Sequence, residues 1–159
     1  MDEPLTIRFD TRSECAAQWR AVIVRARARL DMFDPDFSVF PLGSSEVDAQ
    51  LRAFLHGGGV LRLALHEPAH IERDAPRFLR LLRDYSHLVE CRQTPRSLRQ
   101  LTDSFCIADG LHVLRRFHSD WPRGEAAFDV PDAADLPSHR FAAIWEESRP
   151  TLAPSVAGL

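Results

Sequence analysis

The sequence predicts an α/β domain in which a mixed sheet with a parallel core is flanked by helices. Segments with helical periodicity alternate with short apolar runs of strand length. One of these runs, Val60 to Leu65, is almost continuously apolar, which is typical of strands that are covered on both faces of a sheet. Later in the chain, Asp109-Gly110 separates two β-prone runs, and this dipeptide tolerates the positive φ angles of a tight hairpin turn. The parallel core is therefore expected to continue into an antiparallel part.

The first half of the chain contains two predicted helices, each followed by a strand. Leu5 to Phe9 alternates apolar and polar residues and predicts a short edge strand. Thr11-x-x-Glu14 fits a capping box, which indicates the start of the first helix. The run Leu30 to Phe33 then predicts a core strand, ended by proline and followed by a loop. Ser45-x-x-Asp48 is expected to begin the second helix, and Gly57-Gly58-Gly59 to end it, because glycine adopts the left-handed conformation at a helix end without steric cost.

The second half contains a third helix, one strand, a hairpin of two strands, one further strand and a final helix. Pro68 to Asp74 is expected to be a loop or a helical turn, and the third helix starts at Ala75. Leu88 to Cys91 predicts another strand of the sheet. After the hairpin, which runs from Phe105 to Phe117, Gly124 to Val130 predicts one more strand. Pro131 then opens the last helix, since proline fits the first turn of a helix.

Length and composition indicate one domain. A chain of 159 residues with 45% hydrophobic content is long enough for one full core and too short for two ordinary domains. We expect this domain to span residues 1–149. Residues 150–159 contain little to bury and predict a flexible C-terminal tail.

The charge pattern excludes several classes of function. The formal net charge of −3 gives no overall attraction to nucleic acid or to anionic lipid, so we expect no membrane partner, and nucleic acid is a disfavoured partner that the charge does not exclude. All 20 basic residues are arginine. Chemistry that needs a lysine side chain is therefore excluded. Nine arginines against five acids between Arg73 and Arg116 favour a solvated surface over an arginine-lined cleft or a self-complementary interface.

Cysteine usage and the missing motifs indicate a cytoplasmic protein without a cofactor. Cys15, Cys91 and Cys106 are scattered among apolar neighbours, without metal-ligand spacing, which is typical of buried thiols in a reducing compartment. The N-terminus has no signal-peptide pattern, and no apolar run is long enough to span a bilayer. The sequence also lacks dinucleotide, Walker, metalloprotease and nucleophile-elbow motifs. His66 and His70 have the spacing of a metal pair on a helix, but Pro68 lies between them, so we expect no metal site.

The order of elements resembles one half of the phospholipase D-like fold. The resemblance rests on Leu30 to Pro35, on Leu61 to Pro68, on Asp109-Gly110, and on the closing Phe141-x-x-x-Trp145-Glu146-Glu147. It covers about Ala16 to Arg149 and implies a three-layer half-domain. More narrowly, the chain is similar to an uncharacterised bacterial family of this fold whose active site is degenerate.

Active members of the phospholipase D family carry a histidine, a lysine two residues later, and an aspartate five residues beyond the lysine. Placing that aspartate on Asp109 puts Thr102 at the position of the nucleophilic histidine and Ser104 at that of the lysine. Arg116 and Phe117 stand where active members have a glycine-serine pair. A threonine without an adjacent base is a poor nucleophile, and a serine supplies no positive charge to a transferring phosphoryl group. We therefore expect a pseudoenzyme, with no catalytic residue.

The resemblance also implies a ligand and a partner. Because the family pairs two half-domains around a dyad, we expect a homodimer with the former active-site cleft at its interface. A phosphate-containing ligand could be held there by Arg92, Arg115 or Arg116, helped by Ser104 and His66. The candidate cleft as a whole comprises Thr102, Ser104, Asp109, His66, Arg92, Arg115, Arg116 and His118.

Two other functions stay open from the sequence. One is a phosphodiesterase or nuclease with a rebuilt site, in which His66 or His118 acts as nucleophile or base. The other is a scaffold for a larger protein. His112 and His118 flank the second hairpin strand and could share a face of the sheet, but capping or surface roles are expected for both.

Overall fold

The computed structural model describes residues 3–153, in which eight strands form one mixed sheet in the order β1-β7-β6-β5-β2-β3-β4-β8. The strands are β1 (Leu5–Phe9), β2 (Arg29–Phe33), β3 (Val60–Leu65), β4 (Val89–Gln93), β5 (Ser104–Ala108), β6 (His112–His118), β7 (Trp121–Phe128) and β8 (Arg149–Thr151). The helices are α1 (Arg12–Arg25), α2 (Ser45–His56), α3 (Ala69–Asp74), α4 (Pro76–Asp84) and α5 (Pro131–Glu147), with a 3₁₀ turn at Arg96–Leu98. The predicted mixed α/β architecture is confirmed.

The sheet has a parallel centre and antiparallel flanks. β2, β3 and β4 are parallel neighbours, as expected for strands joined by crossover helices. On one side β5 pairs antiparallel with β2 and leads into the meander β5-β6-β7, which β1 extends. On the other side β8 pairs antiparallel with β4. This arrangement brings the ends of β2 and β3 to the same edge of the sheet as the start of β5.

Helices cover both faces of the sheet and create two hydrophobic cores. One core lies between the sheet and α1, α2, α3 and α4, and it contains Trp19, Leu51 and Phe78. The other lies between the sheet and α5, where Phe105 packs near Phe141. Three layers result, with the sheet in the middle. Within residues 3–153, no helix is both long and apolar enough to cross a membrane.

Several local predictions are confirmed by the backbone. Thr11 is the N-cap of α1, and its side chain accepts a hydrogen bond from the amide of Glu14, as the capping box requires. Asp109 and Gly110 have φ values of 57° and 69°, which identifies them as the two central residues of the predicted hairpin turn. Gly58 has a φ of 95° and lies just beyond the end of α2.

Three details differ from the sequence predictions. α2 begins at Ser45, as predicted, but the residue that caps it is the preceding Ser44, whose hydroxyl accepts the amide of Val47. Residues 69–74 form a short helix that ends where α4 begins. The predicted start of the C-terminal tail at residue 150 is wrong, since Arg149–Thr151 form β8 and complete the sheet beside β4. Residues 154–159, the rest of that predicted tail, lie outside the described part.

Candidate ligand-binding cleft

Polar side chains collect at the sheet edge where β2 and β3 end and β5 begins. Asp34 directly follows β2, His66 directly follows β3, and Ser104 is the first residue of β5. Because β5 runs antiparallel to β2, with Phe33 opposite Phe105, the first residue of β5 lies beside the residue that follows β2. Ser104 and His66, both included in the candidate cleft, therefore lie at the same edge of the sheet.

Ser104, Asp34 and Arg116 form a buried cluster at this edge. Ser104 is opposite Arg116 in the β5–β6 register, and its hydroxyl donates a hydrogen bond to Oδ1 of Asp34. Nη1 of Arg116 lies 3.6 Å from the same carboxylate oxygen. The exposed fractions are 0% for Ser104, 2% for Asp34 and 4% for Arg116. A hydroxyl from β5 and a guanidinium from the neighbouring strand β6 thus meet at the carboxylate of Asp34.

Asp34 has partners for both carboxylate oxygens. Oδ2 accepts the backbone amides of Phe37, at 2.6 Å, and of Asp36, at 3.1 Å. Burial raises the pKa of Asp34, because the charged form loses its hydration. The hydrogen bonds from Ser104 and the two amides, together with the charge of Arg116, act in the opposite direction. Burial also raises the pKa of the nearby Cys15 thiol to about 11.

Arg116 also fixes the connection between β6 and β7. Nε donates to the carbonyl oxygen of Trp121 at 3.0 Å, and Nη2 donates to that of Ser119. The pairing of β6 with β7 shifts register between Arg116 and His118, which marks a bulge at the start of this connection. We call residues 117–121 the rim hairpin. Its backbone depends on the same guanidinium that contacts Asp34.

A cavity of about 440 Å³ opens beside this cluster, and we call it the basic cleft. It is lined by Gln100, Leu101, Thr102, Asp103, Arg115, Arg116, Phe117 and Arg140. Arg140 donates to both carboxylate oxygens of Asp103, at 2.5 and 2.9 Å. Arg115 is 3.8 Å from the carboxylate of Glu125 and remains half exposed. The side chain of Arg115 is therefore more exposed than that of Arg140.

His66 is held by two hydrogen bonds and does not line the basic cleft. Nε2 lies 2.7 Å from the carbonyl oxygen of Leu101, and Nδ1 lies 2.5 Å from the hydroxyl of Thr94. A carbonyl only accepts, so Nε2 donates to Leu101. Both ring nitrogens are thus engaged in a buried imidazole that positions the segment before Thr102.

The structure brings together some of the predicted site residues and separates others. Thr102, Arg115 and Arg116 line the cleft, Ser104 and His66 are buried behind it, and His118 lies in the rim hairpin. Asp109 lies at the opposite end of β5, about 16 Å from Ser104 for five residues of extended chain. Arg92 is on β4, where it contacts Glu90 and the carbonyl oxygen of Trp145. His112 is also remote, and its Nδ1 accepts the amide of Asp129.

Sequence reasoning missed Asp34, Asp103 and Arg140. Asp34 belongs to Asp34-Pro35-Asp36, which was interpreted only as a loop that follows a strand. The available signal was its place at the carboxyl end of a central strand, where open α/β sheets collect functional groups. The Asp103–Arg140 pair joins residues far apart in sequence and gave no local signal. Among residues 3–153, no three His, Cys, Asp or Glu side chains are grouped so that they could hold a metal ion.

The sequence matches one family of domains over nearly its whole length. A family described as a domain of unknown function, DUF7931, matches residues 11–153. The chain belongs to this family. No curated protein shows a significant match.

Solved structures identify the fold. Nuc from Salmonella typhimurium, a phospholipase D family member, has a TM-score of 0.68 at 15% identity, over 94% of this chain and 99% of that one. NucT from Helicobacter pylori has a TM-score of 0.68 at 10% identity, over 94% and 100%. The archaeal chromatin protein TrmBL2, described with a novel mode of DNA binding, has a TM-score of 0.69 at 12% identity, over 94% and 54%. The domain therefore has the phospholipase D-like fold that the sequence resemblance predicted.

Proposed function

We propose that this domain is a non-catalytic member of the phospholipase D-like fold that binds a phosphate-containing ligand in the basic cleft, in a regulatory or scaffolding role. The observation that carries this proposal is the buried Ser104, whose hydroxyl donates to Asp34 at the position of the family lysine. A hydroxyl that is hydrogen-bonded to an internal carboxylate supplies no positive charge to a transferring phosphoryl group.

The nucleophile position supports the same proposal. Thr102 lines the cleft, but a threonine hydroxyl needs a base within hydrogen-bond reach to become a useful nucleophile. The imidazole of His66 is held by Thr94 and Leu101. Nδ1 of His118 accepts the amide of Asp120. These contacts favour a binding site over the alternative phosphodiesterase or nuclease with a rebuilt histidine site.

The lining of the cleft favours an anionic ligand. Two partly exposed arginines, Arg115 and Arg140, line the cavity against the single lining carboxylate of Asp103, and the buried Arg116 adds a positive charge beside it. Arginine binds phosphate oxygens through paired N–H donors, and the amide of Gln100 and the hydroxyl of Thr102 add further donors. The half-exposed Arg115 is the group that a ligand reaches first.

Two measurements on the purified chain test this proposal. Calorimetric titration with inorganic phosphate, and with a short phosphodiester, should show binding that Arg115→Gln weakens. Arg123→Gln, which removes an exposed arginine outside the basic cleft, is the matched control. Incubation with a bis-nitrophenyl phosphate ester and with single-stranded DNA should give no turnover. Turnover that His118→Ala or His66→Ala abolishes would establish the rebuilt enzyme instead.

We also propose that the domain is a cytoplasmic homodimer with the basic cleft at its interface. Support comes from the rim hairpin, where Phe117 is 45% and Trp121 is 66% exposed. They are the exposed aromatic side chains of the described part, and Phe117 lines the basic cleft itself. Exposed aromatic residues are typical anchors of protein interfaces. Three buried cysteines that form no disulfide support a cytoplasmic location.

A further inference from the structure

Two side chains that line the basic cleft are bound to each other. Asp103 directly precedes β5 and Arg140 lies on α5, so their contact joins the sheet edge to the helix. Nη1 and Nη2 of Arg140 donate to the two carboxylate oxygens of Asp103, at 2.5 and 2.9 Å. This is the paired geometry with which arginine also binds a phosphate group. The exposed fractions are 32% for Arg140 and 23% for Asp103, so solvent reaches both side chains.

We propose that Arg140 is the oxyanion subsite of the basic cleft, and that the carboxylate of Asp103 fills this subsite until a ligand displaces it. The two carboxylate oxygens stand in for two phosphate oxygens of the ligand. This inference rests on the function proposed above. Because a ligand has to replace two charge-assisted hydrogen bonds at once, Asp103 lowers the affinity of the cleft for every anion and favours those that present two oxygens to Arg140.

The guanidinium of Arg140 is held in place independently of Asp103. Its Cζ lies 5.0 Å from the centroid of the Phe105 ring, which is a cation–π contact. Phe105 is buried, and its ring packs edge-on against that of Phe141 with the centroids 6.4 Å apart. The aromatic surface under the guanidinium is therefore fixed, and Arg140 keeps its position when the carboxylate leaves it.

The backbone around Asp103 is also held by other contacts. The carbonyl oxygen of Leu101 lies 2.7 Å from Nε2 of His66, and the hydroxyl of Ser104 donates to Asp34. These contacts fix the chain on both sides of Asp103. The release of its carboxylate is therefore a rotation of one side chain and does not require the segment before β5 to unfold.

A second arginine lies on the same face of the sheet as this subsite. Arg115 is opposite Phe105 in the β5–β6 register, so both side chains project toward α5. Nη1 of Arg115 is 3.8 Å from the carboxylate of Glu125, which is beyond hydrogen-bond distance. An anion therefore gains the attraction of Arg115 without breaking a hydrogen bond. The cost of entry is concentrated at Asp103.

Inorganic phosphate is the probe, titrated into the full chain by calorimetry at constant ionic strength. Asp103→Asn keeps the shape of the side chain and removes its charge, and we expect it to bind phosphate on the order of tenfold more tightly than the wild type, within the usual range of coupling between sites. The double variant Asp103→Asn/Arg140→Leu should bind no more tightly than the wild type, because the gain comes from the guanidinium. Asp135→Asn, which removes an exposed carboxylate from α5 outside the cleft, is the matched control and should stay within about twofold of the wild type, since exposed charges are well screened.

A measurement on the wild type covers the case in which a variant does not fold. The side-chain carboxyl ¹³C signal of Asp103 in an NMR spectrum should move as phosphate saturates the protein, because the carboxylate then loses its two guanidinium donors. Chloride presents no pair of oxygens, so at the same ionic strength it should leave that signal in place.

The outcomes separate this inference from the function on which it rests. If neither the wild type nor any variant binds phosphate, both proposals are wrong. If the wild type binds phosphate but folded Asp103→Asn binds no more tightly, only the exchange at Arg140 is wrong. The exchange is equally overturned if the double variant keeps the gain, since Asp103 then acts by repulsion alone, or if phosphate saturates the wild type without moving the Asp103 signal. A shift with chloride as large as that with phosphate would contradict the preference for paired oxygens.

Discussion

The carboxylate of Asp109 accepts the backbone amide of Arg29 at 2.8 Å, and this contact joins the β5–β6 turn to the start of β2. The amides of Arg27, at 2.9 Å, and Ala28, at 2.8 Å, donate to the same carboxylate. One side chain thus satisfies three successive amides that precede or open a central strand. The contacts of Asp109 are structural and lie at the edge of the sheet opposite to the basic cleft.

We expect Asp109→Ala to lower the free energy of unfolding by about 2–3 kcal/mol, because three amides lose their acceptor and alanine disfavours a φ of 57°. Asp109→Asn should cost roughly 1 kcal/mol, since asparagine tolerates positive φ and keeps an acceptor oxygen. Urea unfolding followed by circular dichroism measures both. Phosphate affinity should be unchanged in either variant, and a specific loss of binding at full stability would place Asp109 in the site after all.

Ser104 provides a second prediction, because it is fully buried and a lysine at this position would have no access to solvent. Ser104→Lys would put an ammonium group beside Arg116 in a cluster that is closed to solvent, and we expect it to lower the free energy of unfolding by about 3 kcal/mol or more. Ser104→Ala, the control, removes one hydrogen bond to Asp34 and should cost about 1–2 kcal/mol. The pair Thr102→His/Ser104→Lys should show no phosphodiester turnover. Measurable turnover in that variant would mean that the cleft is only two substitutions away from activity.

Gly124 is required by close packing and not by its backbone conformation. A Cβ at this position would lie 1.9 Å from the carbonyl oxygen of Arg115 and 2.6 Å from the ring of Phe9. The oxygen belongs to β6 and cannot move without opening the β6–β7 pair. We expect Gly124→Ala to lower the free energy of unfolding by about 2–3 kcal/mol. Gly57→Ala, where a Cβ would meet only ordinary contacts at 3.5 Å, is the control and should change stability by less than about 1 kcal/mol.

The sequence contained most of the information that defines the fold. Each predicted element has a local cause that is visible in the chain, such as the Thr11–Glu14 capping box, the apolar run of β3 and the Asp109-Gly110 turn. The prediction was wrong where a segment depends on a distant partner. β8 is three residues long and becomes a strand only because β4 offers it an edge, which no local pattern of Arg149–Thr151 reveals.

The site was harder to predict for the same reason. Ser104 and Thr102 were identified by their spacing from Asp109; Thr102 lines the cleft, whereas Ser104 is buried behind it. That Arg116 contacts Asp34 follows only from the β5–β6 register and from the neighbourhood of β2 and β5. Arg92 was included as a cationic residue near a strand end, but its guanidinium packs over the Trp145 ring, 4.4 Å from the centroid. Charge alone did not indicate which arginines share a cavity.

The cysteines give a prediction that depends on pH. Burial raises the pKa of Cys15 to about 11 and that of Cys91 and Cys106 well above the ordinary value. At pH 8 the thiolate fraction of Cys15 is then about one thousandth, and all three sulfurs are screened from reagents. We expect the native chain to react with a thiol reagent at least about a hundredfold more slowly than the chain in urea. Fast labelling of one native thiol would show that its surroundings open readily.

The rim hairpin provides the test of the dimer. Trp121 and Phe117 lie beside the basic cleft, and an aromatic side chain that is 66% exposed gains the energy of apolar burial only when a partner covers it. If the interface includes the rim hairpin, Trp121→Ser should weaken self-association by tenfold or more, because aromatic anchors carry a large part of the binding energy of an interface. Leu136→Ser is the matched control, since Leu136 is 67% exposed on α5 and lies outside the rim hairpin. Sedimentation equilibrium at several protein concentrations measures both, and a wild type that stays monomeric throughout, or a Leu136 variant that dissociates like the Trp121 variant, would contradict an interface at the cleft.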